Sequence, residues 1–89
     1  MVRRSVIFRG RVQGVGFRAT VVDCVGESAV AGRVRNCRDG TVEAIFEGEP
    51  AAIDAVLARV RERMIGHIDD ERASESPAIG EFRGFAIAR

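Results

Sequence analysis

Apolar positions recur along this chain with two different periods, and the periods predict its elements. The run Ser5-Val6-Ile7-Phe8 is short, apolar and partly β-branched, and Gly10 closes it, which predicts a strand over 5–10. In the stretch from Phe17 to Gly32, Phe17, Val21 and Val25 fall at i, i+4 and i+8 with Val22 beside them, the face of a helix. Its β-branched residues and Gly26 work against that helix, but period-2 alternation is absent. Residues 31–37 and 41–48 then read as a hairpin. Val34 and Asn36 share a face of its first strand, Val42, Ala44 and Phe46 a face of its second, and Asp39-Gly40 supplies a turn in which both residues tolerate positive φ.

The clearest helix follows. Pro50 suits a first turn, Ile53, Val56, Leu57, Val60 and Met64 form one apolar stripe, and Arg59, Arg61, Glu62 and Arg63 make the solvent side. Gly66 is a stop signal. Residues 67–81 are polar, with only a weak edge-strand signal over 68–73. Residues 82–89 close the chain as a strand with Phe85 and Ile87 facing the same way. The order β-α-β-β-α-β predicts an α+β, ferredoxin-like (split βαβ) sandwich, an antiparallel sheet with two helices on one face. No linker or internal repeat divides residues 1–89, so one domain is expected.

Composition narrows the possible roles. A formal charge of +1 gives no bulk attraction to nucleic acid or to an anionic membrane. No apolar run approaches the roughly 20 residues of a membrane span, and the start of the chain lacks the pattern of a signal peptide. Cys24 and Cys37 have no CxxC partner or histidine cluster near them in sequence. Both are expected to be reduced packing residues in a cytoplasmic protein, with no metal site.

Two stretches carry candidate chemistry. Residues 10–18, GRVQGVGFR, hold three glycines between a predicted strand and a predicted helix. One reading is a tight connection with Arg18 pointing to water, and spacing alone favours it. The other is an anion site, because Gly14 and Gly16 let amides converge at the positive end of the helix and Arg18 adds a planar cation. Asn36, on the core-side face of a strand, likewise has two readings: a local hydrogen bond capping the hairpin turn, or a group that holds a water or a ligand oxygen.

At these stretches the chain resembles the acylphosphatase family. The family's loop, roughly G-x-V-Q-G-V-x-F-R, matches Gly10, Val12-Gln13-Gly14-Val15 and Phe17-Arg18. Its second motif, G-x-V-x-N followed by D-G-x-V-E, matches Gly32, Val34, Asn36, Asp39-Gly40, Val42 and Glu43. Residues 46–50 and the closing Phe85 and Ile87 extend the likeness. Arg33, Ala29 and residues 68–73 depart from the family pattern without touching either motif.

The resemblance implies hydrolysis of the carboxyl–phosphate bond of acyl phosphates, without metal or cofactor. It places the phosphoryl group on the amides of Gln13, Gly14, Val15, Gly16, Phe17 and Arg18 and on the Arg18 guanidinium, and gives Asn36 the attacking water. The only histidine, His67, reads as a residue at a helix C-terminus, not as a catalyst. A small-molecule acyl phosphate is then the expected partner, and the chain a monomer with no specific nucleic acid and no membrane. Two rivals share the layout. An RNA-binding module would stack bases on exposed strand aromatics, but Phe46 and Phe85 fall on core faces, leaving only a local basic patch of Arg3, Arg4, Arg33 and Arg35. A regulatory module would bind an anion without turning it over.

Overall fold

The computed structural model describes residues 1–88. Its elements are β1 (Val2–Gly10), α1 (Phe17–Val25), β2 (Ala31–Asn36), β3 (Val42–Gly48), α2 (Pro50–Arg63), β4 (Ile68–Pro77) and β5 (Phe85–Ile87). Strand order across the sheet is β4-β1-β3-β2-β5. The first four strands of that order pair antiparallel, as expected. Phe85–Ile87, however, runs parallel to β2 on the outer edge, so the sheet has five strands and is mixed. Arg89, the last residue of the predicted closing strand, lies outside the described residues.

The helix-side face of the sheet follows the predicted alternation. Val6 and Phe8 of β1, Val34 of β2, and Val42, Ala44 and Phe46 of β3 are buried there. Phe17, Val21, Cys24 and Val25 of α1 and Ile53, Val56, Leu57 and Val60 of α2 cover them in one cluster. Removing a side chain of this size from water is worth about 1.5–3 kcal/mol, so the stripe on α2 fixes that helix to the sheet. Arg59, on the helix's solvent side, still reaches α1 and donates twice to the Cys24 carbonyl, at 3.1 and 2.7 Å.

Two local expectations are corrected. In the hairpin turn only Gly40 has positive φ (89°), and Asp39 does not. Asp39 instead accepts from the Thr41 amide and hydroxyl at 3.1 and 2.6 Å, a side-chain cap that removes the need for a left-handed residue there. These bonds, the hydroxyl's first, hold the Asp39 carboxyl below its usual range. The second correction is β4. It is a full ten-residue strand, paired with β1 in one register from Val2↔Pro77 to Arg9↔Asp70, with a one-residue shift before Gly10↔Ile68. Its side chains are nearly all exposed, so no apolar alternation was needed to place it. Backbone pairing does so, helped by Arg4–Glu75 and Arg61–Glu71 ion pairs.

Residues 78–84 join β4 to β5 across the sheet and are tied down by a buried carboxylate. Glu47, 6% exposed, accepts from the amides of Ile79 and Gly80, both at 2.9 Å, and from Arg3 Nε at 2.8 Å. Arg3 also pairs with Glu81 and lies 5.2 Å from the centre of the Phe82 ring. The Ile79 amide first, then Arg3, hold the Glu47 carboxyl below the ordinary carboxylate range. The folded chain therefore binds that proton less readily than the unfolded chain, whose glutamates titrate near about 4.3. The stability Glu47 contributes is complete above that value and is lost as pH falls through the lowered folded value. Glu47→Gln is thus expected to be less stable than wild type at pH 7, with the difference closing below about pH 4; urea midpoints at pH 7 and pH 3 check it.

Candidate active site

The loop between β1 and α1 leaves its amides unused. Gly14 and Gly16 have φ of 75° and 78°, a region L side chains rarely adopt, and Gly16 is the N-cap of α1. No side chain caps that helix and no acidic residue stands in its first turn. The Gly16 carbonyl accepts the first helical bond, from Thr20 N at 3.0 Å. Among the described residues, no protein group accepts from the amides of residues 13–18. A row of free N–H groups at the positive end of a helix attracts an anion.

Gly14, Gly16, Phe17 and Arg18 line a cavity of about 150 Å³ together with Asn36, Val12, Ala19 and Ile87. Arg18 sits in the first turn of α1, partly exposed. Phe17 has its ring in the core, 4.9 Å from Phe8, which leaves its amide as its polar contribution to the cavity. Val15 is exposed and is not part of the lining.

Gln13 does not line the cavity either. Its side-chain amide donates to the carbonyls of Cys37 and Thr41 at 2.8 and 2.9 Å, which pins the loop to the hairpin that carries Asn36. Those carbonyls keep other donors, Gly40 N and Cys37 N, so Gln13→Ala strands nothing buried. It is expected to cost about 1 kcal/mol of stability but roughly tenfold in kcat/KM, because the loop loses its alignment with Asn36. Denaturation midpoints and kcat/KM on the same preparations separate the two effects.

Asn36 ends β2 on the helix-side face, opposite Val42. Its Oδ1 is buried without a hydrogen-bond partner among the described residues. A turn-capping role is filled by Asp39, so the first of the two readings of Asn36 does not hold. An unpaired buried amide oxygen costs about 1–3 kcal/mol, and here it borders the cavity that Arg18 borders.

The acylphosphatase family profile matches residues 4–87. The chain belongs to the acylphosphatase family. It is 49% identical over 78 residues to an acylphosphatase of Synechococcus, covering 85% of this chain and 83% of the relative. To that of Methylococcus capsulatus it is 38% identical over 90 residues, covering 100% and 98%. The fold superposes on the crystal structure of acylphosphatase from Bacillus subtilis with a TM-score of 0.90, at 32% identity and over the whole of both chains. Family membership makes the chain a hydrolase of acyl phosphates.

Val12, Ala19 and Ile87 are cavity residues that were not among the expected site residues. Val12 lies within the loop motif, and its apolar side chain is buried beside the loop. Ile87 was legible as a strand residue and as a position of the family likeness, but not as a site residue, since nothing in the sequence sets β5 beside β2. His67 is elsewhere: its carbonyl accepts from Arg11 N at 2.9 Å just after α2, and its ring lies 3.4 Å from the Ile65 carbonyl. The residues that depart from the family pattern also stand apart from the cavity lining.

Proposed function

We propose that phosphoryl transfer to water takes place in this cavity, with the amides of residues 13–18 and the Arg18 guanidinium on the phosphoryl oxygens and Asn36 on the attacking water. The observation that carries the reading is the meeting of two unsatisfied sets around one space: donors with no acceptor on the loop, and an acceptor with no donor on Asn36. The donors suit a dianionic phosphoryl group whose charge spreads over its three equatorial oxygens in the transition state. The Asn36 oxygen accepts a hydrogen bond from the water, leaving a lone pair of that water free to face phosphorus. An acyl phosphate already carries a good leaving group, so positioning and electrostatics suffice. The water's proton passes to a phosphoryl oxygen of the substrate, and His67 takes no part.

Turnover in ¹⁸O-water tests this. Attack at phosphorus places the label in inorganic phosphate. Label in the carboxylate would mean attack at the carbonyl carbon and would overturn the roles given to Arg18 and Asn36.

The finer setting of the protein follows from the same features. Arg3, Arg4 and Arg35 of the predicted basic patch are each paired with a carboxylate, so no specific nucleic-acid partner is inferred. No helix among the described residues is long and apolar enough to cross a membrane. The edge strand β4 carries Asp69, Asp70, Glu71, Arg72 and Glu75, charges that discourage edge pairing, and this supports a monomer. Free Cys24 and Cys37 support a reducing, cytoplasmic setting.

A further inference from the structure

We infer that Ile87 selects the acceptor of the phosphoryl group, admitting water and excluding alcohols; the inference rests on the hydrolytic reading above. Ile87 of β5 pairs with Val34 of β2, two residues before Asn36 on the same face, and both Ile87 and Asn36 line the cavity. In an in-line displacement the attacking and leaving oxygens lie on opposite sides of phosphorus. The wall beside Asn36 therefore borders the attacking oxygen, and the acyl group leaves on the other side.

Nothing in the core requires an isoleucine there, for Ile87 is 44% exposed. Its backbone is nevertheless held firmly. Gly32 N donates to the Gly84 carbonyl at 2.9 Å, Ala88 N donates to the Val34 carbonyl at 2.8 Å, and Phe85 stacks on Phe46 with ring centres 5.4 Å apart. A β-branched side chain is also stiff at χ1. The result is a fixed apolar wall at the acceptor's position, in a cavity of about 150 Å³ that must also hold the phosphoryl group. A water brings nothing beyond its oxygen to Asn36; an alcohol needs room for its alkyl group on the side that Ile87 fills. Alcohol and water oxygens have the same charge and similar hydrogen-bonding capacity at Asn36, so the discrimination is steric.

With the wall shortened, an alcohol oxygen bonds to phosphorus as the phosphorus–oxygen bond to the acyl group breaks. The bonding pair leaves on the carboxylate, and the alcohol proton passes to a phosphoryl oxygen. The products are an alkyl phosphate and a carboxylate, distinct from the ester and inorganic phosphate that solvolysis at the carbonyl gives.

The test is turnover of benzoyl phosphate in aqueous methanol, with methyl phosphate and inorganic phosphate resolved by ³¹P NMR. Wild type is expected to give almost only inorganic phosphate. Ile87→Ala is expected to raise the ratio of methyl phosphate to inorganic phosphate at least several-fold with KM unchanged, and Ile87→Val, one methyl smaller and safer for folding, to raise it less. An unchanged ratio in both variants overturns the inference, as does a KM rise that grows from acetyl to benzoyl phosphate, which would put Ile87 against the acyl group. Wild type that releases no phosphate in these samples would instead contradict the hydrolytic reading.

Discussion

Arg18→Ala is expected to lower kcat/KM for an acyl phosphate by about 10³–10⁴-fold, equivalent to about 4–5.5 kcal/mol of transition-state stabilisation. The size follows from what the residue adds to its surroundings. The loop amides are neutral dipoles, whereas the guanidinium is a full charge with a planar fork that can bridge two phosphoryl oxygens. It stands in the first turn of α1, where no acidic side chain competes for it. Arg18→Lys keeps a charge but replaces the fork by a point donor, so its loss is expected to be smaller yet still large. Because Arg18 is partly exposed and outside the buried core, neither variant should shift the unfolding midpoint by more than about 0.5 kcal/mol. Steady-state kinetics beside thermal melts checks both halves.

Asn36→Ala should lower kcat by about 10²-fold, near 2.7 kcal/mol, with KM close to wild type. A group that orients water contributes chiefly in the transition state, so its loss does not weaken ground-state binding. A loss confined to KM would make Asn36 a binding residue. Stability should move the other way from activity. Wild type bears an amide oxygen buried without a partner, and truncation removes that penalty. The variant's unfolding midpoint is therefore expected to be equal to or above that of wild type. An inactive variant that is also less stable would mean that Asn36 holds the hairpin together, a task the structure gives to Asp39 and Thr41.

How far the fold could be read in advance depended on what each element buries. The stripe of Ile53, Val56, Leu57 and Val60 faces one core and had to be apolar at helical spacing, so α2 was plain. The hairpin was plain for the same reason, through Val34, Val42, Ala44 and Phe46. β4 was faint because an edge strand with exposed side chains is held by main-chain bonds and ion pairs, which leave no apolar period. β5 was recognised as a strand but not as a parallel one: its place beside β2 depends on the Glu47 anchor and on Phe85 meeting Phe46, contacts far apart in sequence.

The site divided along similar lines. Gly14, Gly16, Phe17, Arg18 and Asn36 come together around one cavity, while Gln13 turns its side chain to the hairpin and Val15 points outward. Residue spacing could not separate those cases, because it reports backbone order and not side-chain direction. Ile87 was beyond it altogether, since β5 brings that residue to Asn36 only through the sheet.

The most direct measurement is release of inorganic phosphate from benzoyl phosphate by the purified protein and by Arg18→Ala, with EDTA present throughout. Turnover by wild type that survives EDTA and falls by about 10³-fold or more in the variant is the predicted result. Equal turnover by the two proteins, or a wild type that is inert, would contradict the assignment of this cavity to phosphoryl transfer.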